Sequence, residues 1–209
     1  MTTILVTGFG PYPGAPYNPT GPLVRALARH AQRGGARIVG HVFETSYATV
    51  DREMPKLLKQ HKPDALLMFG LSPRTRHIQV ETRARNTVAM TPDAARGKHR
   101  RKIADGEPFT LSLPVPATRL AASLRRLPVP ARLSHDAGRY LCNYIAWRGA
   151  EAAATSAGPC IAAFVHIPLV RRDASPQSRP KPFTRARLER AGKALLAQMI
   201  ALANQKRRA

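Results

Sequence analysis

Short apolar runs alternate with segments of helical period along the first part of this 209-residue chain. The apolar runs predict strands at about 2–7, 36–44 and 64–70, and the segments between them predict helices at about 20–33 and 48–61. Strands that alternate with helices are typical of an α/β fold with a largely parallel sheet. The pattern therefore predicts an α/β architecture.

The same alternation continues to the C-terminus, interrupted by a polar loop at about 91–108 and a Pro-rich loop at about 172–182. A chain of this length suits one globular domain with a substantial core. We therefore expect a single domain over 1–209, with a basic tail at about 204–209 that frays. The further predicted strands are at about 77–83, 109–115 and 160–168, and the further helices are at about 117–127, within 135–156 and at about 183–204.

One of these strands, "HIQVETR" at 77–83, alternates strictly between apolar and polar residues. Ile78 and Val80 share one face of it, whereas Gln79 and Glu81 share the other, because successive side chains of a strand point to opposite faces. Glu81 therefore faces away from the apolar side. An ordinary solvated carboxylate and an acid in a functional site both fit this position.

The charge of the chain is strongly positive, since 34 Lys and Arg against 12 Asp and Glu give a formal net charge of +22. Such a field attracts nucleic acids and other polyanions without sequence specificity. We favour a compositional bias towards Arg and Ala or a role in solubility, because no basic module interleaved with aromatic residues is present. No apolar run approaches the ~20 residues that cross a bilayer, and no signal region precedes the first strand, so we expect a cytoplasmic protein without membrane contact.

A glycine-rich loop, "VTGFGPYPGAPYNP" at 6–19, follows the first strand and suggests a phosphate-binding turn. The dinucleotide pattern Gly-x-Gly-x-x-Gly must lead directly into a helix, but here the third glycine is one place late and four prolines postpone any helix. A nucleotide site is therefore disfavoured. The loop instead carries two rings, Phe9 and Tyr12, at the carboxyl end of a strand, where such sheets bind ligands. The rings suit a flat ligand, or they pack the loop onto the domain.

The two cysteines are too few for a disulfide framework. Cys160 opens an apolar strand, and we interpret it as a small buried hydrophobe. Cys142 lies in "HDAGRYLCNYIAW", after Ser134 or Asp136 as a possible helix cap and close to Arg139. A helix N-terminus and positive neighbours favour a thiolate, although a buried structural cysteine fits the same pattern.

His166 ends the apolar strand "CIAAFVHIP", from which an imidazole can protrude at the sheet edge. Together with Cys142 and Glu81 it supplies the parts of a thiol hydrolase, which are a nucleophile, a base and an acid that orients the base. Spacing in the sequence does not show that the three residues meet.

Several motifs occur together and in a specific order between about residues 4 and 170. They are "ILVTGFGPYPG" followed by "NPT", "PDALLMFGL", "IQVETRARN", "SLPV", "AGRYLCNY" and "FVHIP". By these motifs the chain resembles pyroglutamyl peptidase type I, also called pyrrolidone-carboxylate peptidase. This family of cysteine peptidases removes an N-terminal pyroglutamyl residue from peptides.

The resemblance implies roles for the candidate residues. Cys142 matches the position of the nucleophile, and His166 matches that of the general base, which later acts as the acid. Glu81 matches the carboxylate that orients His166. Asp93 is the second choice for that carboxylate. No metal or cofactor is implied. The implied fold is a three-layer α/β/α domain around a twisted, mixed, mostly parallel sheet.

The resemblance also implies a substrate site and an assembly. Phe9 and Tyr12 fall where the family has two aromatic residues that sandwich the lactam ring, and Asn18 of "NPT" matches an asparagine that fixes the loop. Leu71, at the end of "PDALLMFGL", is a further candidate for substrate binding. The implied partners are peptides with N-terminal pyroglutamate and further copies of the chain, in a tetramer or a dimer.

Three segments depart from the family pattern. Gly10 stands where the family typically has Glu, "GLSPRT" replaces "GLAGGR", and "ETRARN" replaces "ERVAxN", which introduces Pro73, Arg74, Arg83 and Arg85. Two alternatives to a pyroglutamyl peptidase therefore stay open. One is a thiol hydrolase of another acyl group, and the other is a basic nucleic-acid-binding protein on the same fold.

Overall fold

The computed structural model describes residues 1–12, 15–30, 35–89, 101–170 and 183–208. Alternating strands and helices follow one another in the order that the sequence pattern predicts for most of the chain. The strands are β1 (Thr2–Phe9), β2 (Ala36–Phe43), β3 (Ala65–Leu71), β4 (Ile78–Glu81), β5 (Arg83–Arg85), β6 (Thr110–Ser112), β7 (Ala131–Ser134) and β8 (Ile161–Ile167). The helices are α1 (Thr20–His30), α2 (Tyr47–His61), α3 (Ala117–Arg125), α4 (Leu141–Ala153) and α5 (Arg185–Arg208).

Six of the described strands form one sheet in the order β2-β1-β3-β8-β4-β7. The first four strands in this order run parallel to one another, β4 runs antiparallel to β8, and β7 runs parallel to β4. The predicted α/β fold with a mixed, mostly parallel sheet is therefore confirmed. The short strands β5 and β6 pair with each other outside this sheet.

Each face of the sheet is covered by helices. Residues Ile4 and Val6 of β1 pack on one face in a core with the apolar sides of α1, α3 and α5. Leu5, between them, packs on the other face with α2 and α4. Alternate residues of one strand thus serve two cores, because a strand between two helical layers must bury both of its faces. The result is the three-layer arrangement that the resemblance implies.

The structure corrects several predicted boundaries. The predicted strand at 77–83 ends at Glu81, and after Thr82 the chain enters β5, which pairs with β6 outside the main sheet. The predicted strand at 109–115 is reduced to Thr110–Ser112. Strand β7 was not expected, because its four residues follow Pro128 and Pro130 and are largely exposed at the sheet edge.

The C-terminal helix extends further than the sequence predicts. Helix α5 continues to Arg208, through most of the tail that was expected to fray. Arg207 lies 3.7 Å from the carboxylate of Asp64, and Asn204 hydrogen-bonds Thr2, so contacts with the start of two strands hold this end. None of the described helices has the length and apolar character that crossing a bilayer requires.

Candidate active site

Strands β4 and β8 bring Glu81 and His166 together. Gln79 is the register partner of His166, and Glu81 lies two residues further along the same face of β4. The His166 Nδ1 atom is 2.8 Å from Glu81 Oε1, and the Glu81 side chain is fully buried. The interpretation of Glu81 as an ordinary solvated carboxylate is therefore wrong. A bond from Nδ1–H to the carboxylate leaves the other ring nitrogen, Nε2, for a second partner.

The second hydrogen-bond partner of the His166 side chain is Cys142, the second residue of α4. Tyr140 is the N-cap of α4 and makes no side-chain capping bond, so the prediction that Ser134 or Asp136 caps this helix is wrong. The first amides of a helix lack carbonyl partners within it and carry a partial positive charge. Cys142 thus lies in the first turn of a helix, next to these amides.

The pKa of His166 reflects both neighbours. Burial acts to lower this pKa, but the charge and hydrogen bond of Cys142, followed by the hydrogen bond and charge of Glu81, raise it to about 10. The imidazole therefore keeps its second proton at neutral pH. A protonated imidazole between a thiol group and a carboxylate favours a thiolate-imidazolium pair, which is the reactive form of a nucleophilic cysteine.

Gly70, near the end of β3, allows these groups to approach and was missed by the sequence reasoning. It is the register partner of His166. A Cβ atom at this position would lie 2.7 Å from Cys142 Sγ and 2.5 Å from Phe164 Cζ, so only a glycine fits. A glycine inside the otherwise apolar run "ALLMFGL" marks such close approaches and was the available signal.

Cys142 and His166 open into a cavity of about 270 Å³. The four predicted substrate-binding residues, Phe9, Tyr12, Asn18 and Leu71, lie around the same cavity. The predicted site residues within the described part of the chain therefore converge at one place, whereas Asp93 lies outside the described residues. The other lining residues are Thr45, Ser72, Pro73, Gln79, Asp136, Ala137, Gly138, Arg139, Tyr140 and Leu141.

The loop after β1 is held by side-chain bonds to its backbone. Phe9 N–H donates to Thr20 Oγ1 at 2.9 Å, and Asn18 Nδ2 donates to Gly10 O at 3.1 Å. Asn18 Oδ1 also accepts from Thr20 N–H at the start of α1 at 3.1 Å. Asn18 therefore fixes the loop as well as lining the cavity. Burial, and then the proximity of Cys142, raise the pKa of Tyr12, which keeps its phenol neutral beside the thiol.

Residues 2–197 match the family model described as pyroglutamyl peptidase. The chain belongs to the pyroglutamyl peptidase family. It is 31% identical over 170 residues to pyrrolidone-carboxylate peptidase of Thermococcus litoralis, and the aligned region covers 80% of this chain and 77% of that protein. It is 31% identical over 169 residues to pyrrolidone-carboxylate peptidase of Pyrococcus furiosus, covering 80% and 81%.

Solved structures agree in fold with this member of the pyroglutamyl peptidase family. A mutant pyrrolidone carboxyl peptidase from P. furiosus superposes with a TM-score of 0.86 at 27% identity, covering 96% of this chain and 99% of that one. Pyrrolidone carboxyl peptidase from T. litoralis superposes with a TM-score of 0.85 at 24% identity, covering 99% and 96%.

The arginines that depart from the family pattern in "ETRARN" support the segment before α4. Arg85 lies 3.2 Å from the carboxylate of Asp136, and Arg83 Nε donates to His135 O at 2.9 Å. Asp136 also accepts from Gly138 N–H at 3.0 Å. These contacts tie β5 to the cavity wall that leads to Cys142.

Asn143, directly after Cys142, is a second residue that the sequence reasoning missed. It is fully buried, donates to Arg85 O at 2.8 Å and to Thr87 O at 3.0 Å, and accepts from Arg85 N–H at 2.8 Å. An asparagine among the apolar residues of "LCNYIAW" was the available signal, because a buried amide needs partners. It anchors the first turn of α4 to β5.

Cys160 has a different setting. It is exposed, and its Sγ donates to Asp64 O at 3.0 Å, so the expectation of a buried hydrophobe is wrong. It does not line the cavity. Among the described residues, no cluster of His, Cys, Asp and Glu side chains is arranged to hold a metal ion.

Proposed function

We propose that this protein is a cysteine-type omega peptidase that removes the pyroglutamyl residue from the N-terminus of peptides. The observation that carries the proposal is the position of His166, which contacts Glu81 on one side and Cys142 on the other at the floor of a cavity flanked by Phe9 and Tyr12. Membership of the pyroglutamyl peptidase family supports the choice of acyl group.

The first chemical step is attack by the Cys142 thiolate on the pyroglutamyl carbonyl carbon. A C–S bond forms, the carbonyl π electrons move to oxygen, and a tetrahedral oxyanion results. We assign the first backbone amides of α4 as donors to this oxyanion, and one such donor contributes ~3 kcal/mol to the stability of a transition state. In the reactive form of such a pair the thiolate stands beside a protonated imidazole, so attack requires no further proton removal.

In the second step His166 donates its proton to the amine nitrogen of the leaving peptide, and the C–N bond breaks. The product is a thioester between Cys142 and the pyroglutamyl group. Water then attacks this thioester, with His166 accepting the proton, and the C–S bond breaks to release pyroglutamate. Glu81 keeps the ring in the correct orientation and stabilises its charged form.

Recognition of the lactam ring depends on shape and on flat surfaces. Phe9 and Tyr12 line the cavity and suit a flat ring that carries no charge, and the neutral phenol of Tyr12 fits this role. Asn18 and Thr45 both donate to Gly10 O, so the backbone next to Phe9 is held in place before the substrate binds. Preorganisation of this kind lowers the entropic cost of binding.

Hydrolysis of pyroglutamyl-aminomethylcoumarin tests the function. Release of the fluorescent amine is expected from the wild type and not from Cys142→Ala. Cys160→Ala is the matched control, because this cysteine is exposed and outside the cavity, and it should retain the activity. No release by the wild type, or equal release by Cys142→Ala, would overturn the proposal.

Three further expectations stand with this proposal. We propose that the chain acts as one domain, that it is cytoplasmic, and that it assembles as a homotetramer or homodimer, as the resemblance to the family implies. Light scattering on the purified protein measures the assembly, and a monomer at micromolar concentration would contradict it.

A further inference from the structure

The order of strands divides the cavity into two sides. His166 lies on β8, and β1 with the loop that carries Phe9 and Tyr12 lies on one side of it, beyond β3. Strand β4, with Gln79, lies on the other side. Since the lactam ring occupies the aromatic side and His166 protonates the leaving nitrogen, the leaving peptide extends towards the side of β4.

The segment between β3 and β4 crosses the end of β8 on this leaving side. Strands β3 and β4 flank β8, so residues 72–77 must pass over its carboxyl end, and Ser72 N–H donates to Ile167 O there at 2.9 Å. Thr75 N–H donates to Ser72 O at 3.2 Å, which makes this segment a turn. Ser72 and Pro73 of the turn line the cavity, as does Gln79.

Positive charge predominates at this turn and at the cavity wall formed by the segment that follows β7, the strand next to β4. Arg74 and Arg76 of the turn are exposed, and Arg139 is an exposed residue of the cavity wall. Within the described ranges, none of these three arginines has a carboxylate partner. The acidic residue of the wall, Asp136, is paired with Arg85.

We propose that Arg139 of the cavity wall and Arg74 of the neighbouring turn are specificity-determining residues. They select pyroglutamyl peptides whose next residue is acidic. The inference rests on the proposed function and names its substrate class. A pyroglutamyl peptide lacks the α-ammonium group of an ordinary peptide, so a positive entrance does not repel its blocked end. A carboxylate on the next residue gains the attraction, and the net charge of +22 adds a long-range field of the same sign.

The experiment compares three peptides that differ only in the residue after pyroglutamate, which is glutamate, glutamine or lysine. Glutamine is the neutral isostere of glutamate. At low salt, kcat/KM for the glutamate peptide is expected to exceed that for the glutamine peptide roughly fivefold, because an exposed ion pair contributes at most about that factor. The value for the lysine peptide is expected to fall below both. At about 1 M salt, where the Debye length is ~3 Å, the three values should converge.

Variants assign the preference to particular residues. Arg139→Gln and Arg74→Gln, alone and combined, should bring the ratio of the glutamate to the glutamine peptide towards one. Arg125→Gln is the control with the same change of charge, because Arg125 is exposed at the end of α3 on the opposite face of the sheet, and its ratio should equal that of the wild type. Each ratio is taken within one variant, so a change in overall activity does not affect it.

Pyroglutamyl-aminomethylcoumarin separates the two ways of failing, since its leaving group carries no charged side chain. Equal kcat/KM values for the three peptides in a wild type that hydrolyses the coumarin substrate would overturn this inference alone. A glutamate preference unaffected by the Arg139 and Arg74 variants would overturn the assignment to these residues. A wild type that hydrolyses none of the substrates would overturn the proposed function and the inference with it.

Discussion

A methyl group on the Gly70 Cα would stand 2.7 Å from the Cys142 Sγ. The Cys142 thiol therefore packs directly against the backbone of β3. The position of the nucleophile depends on Gly70, a residue that takes no part in the reaction. His166 Cδ2 would be 3.4 Å from the same methyl group, so both reacting side chains are packed against this point.

We expect Gly70→Ala to displace the thiol. Its Cβ would contact Cys142 Sγ and Phe164 Cζ at distances that real Cβ atoms do not show, so the side chains must move. Overpacking of this kind costs about 1–3 kcal/mol of folding free energy, and a nucleophile displaced by 1 Å loses about 100-fold in rate. Urea unfolding and kcat for the coumarin substrate measure the two effects.

Gly10→Ala is the control for this substitution. The nearest contact of a Cβ at Gly10 is Phe43 O at 3.6 Å, an ordinary van der Waals distance. Its unfolding free energy should stay close to that of the wild type. A Gly70→Ala enzyme with unchanged kcat would show that the thiol does not need its present position.

Glu81→Gln should lower the pKa of His166 and reduce turnover. The amide oxygen can still accept from Nδ1–H, but the charge that helps to raise this pKa is lost. The alkaline limb of the pH profile of kcat/KM, expected near pH 10 in the wild type because His166 must hold a proton to give to the leaving amine, should move to lower pH. A fall in kcat of at least about 100-fold is expected for a lost acid-base partner.

The matched control is Glu189→Gln, which removes a carboxylate that pairs with the exposed Arg185 on α5. Its pH profile should coincide with that of the wild type. If Glu81→Gln gave this same result, Glu81 would have no part in orienting His166.

The charge on His166 also links stability to pH. Its folded pKa of about 10 lies above the ordinary value of 6.5, so its contribution to stability is complete below pH 6.5 and is lost as the pH rises through about 10. The free energy of unfolding should therefore fall more steeply over this interval in the wild type than in His166→Gln. Urea titrations at both ends of the interval measure the difference, and parallel declines would contradict it.

Asn143→Ala should destabilise the protein without touching the thiol directly. Three backbone groups, on Arg85 and Thr87, would lose their buried partners, at roughly 1–3 kcal/mol for an unsatisfied buried group. We expect a loss of roughly 2–4 kcal/mol in total, because some of these groups regain water. Gln60→Ala, at an exposed position of α2, controls for the loss of an amide, and equal stabilities of the two variants would contradict the anchoring role.

Much of the fold could be predicted because hydrophobic periodicity is a local property of the chain. The strands β1, β3 and β8 bury both faces and appear as long apolar runs. Strand β7 lacks that signal, since an exposed edge strand of four residues needs few apolar positions. The break at Thr82 was also not predicted, because it reflects a change of partner from β7 and β8 to β6, and strand partners are not visible in the local pattern.

For the site, the sequence by itself determined the candidates, through motifs that resemble one family and residue types that suit one reaction. Only the tertiary structure decided that Glu81 and His166, 85 residues apart, lie 2.8 Å from each other, and that Glu81 is buried. It also decided that Gly70 and Asn143 shape the site by what they touch. The reason is physical. Alternation within a strand predicts which face of the sheet a side chain lies on, but strand order and helix packing determine which residues it contacts there.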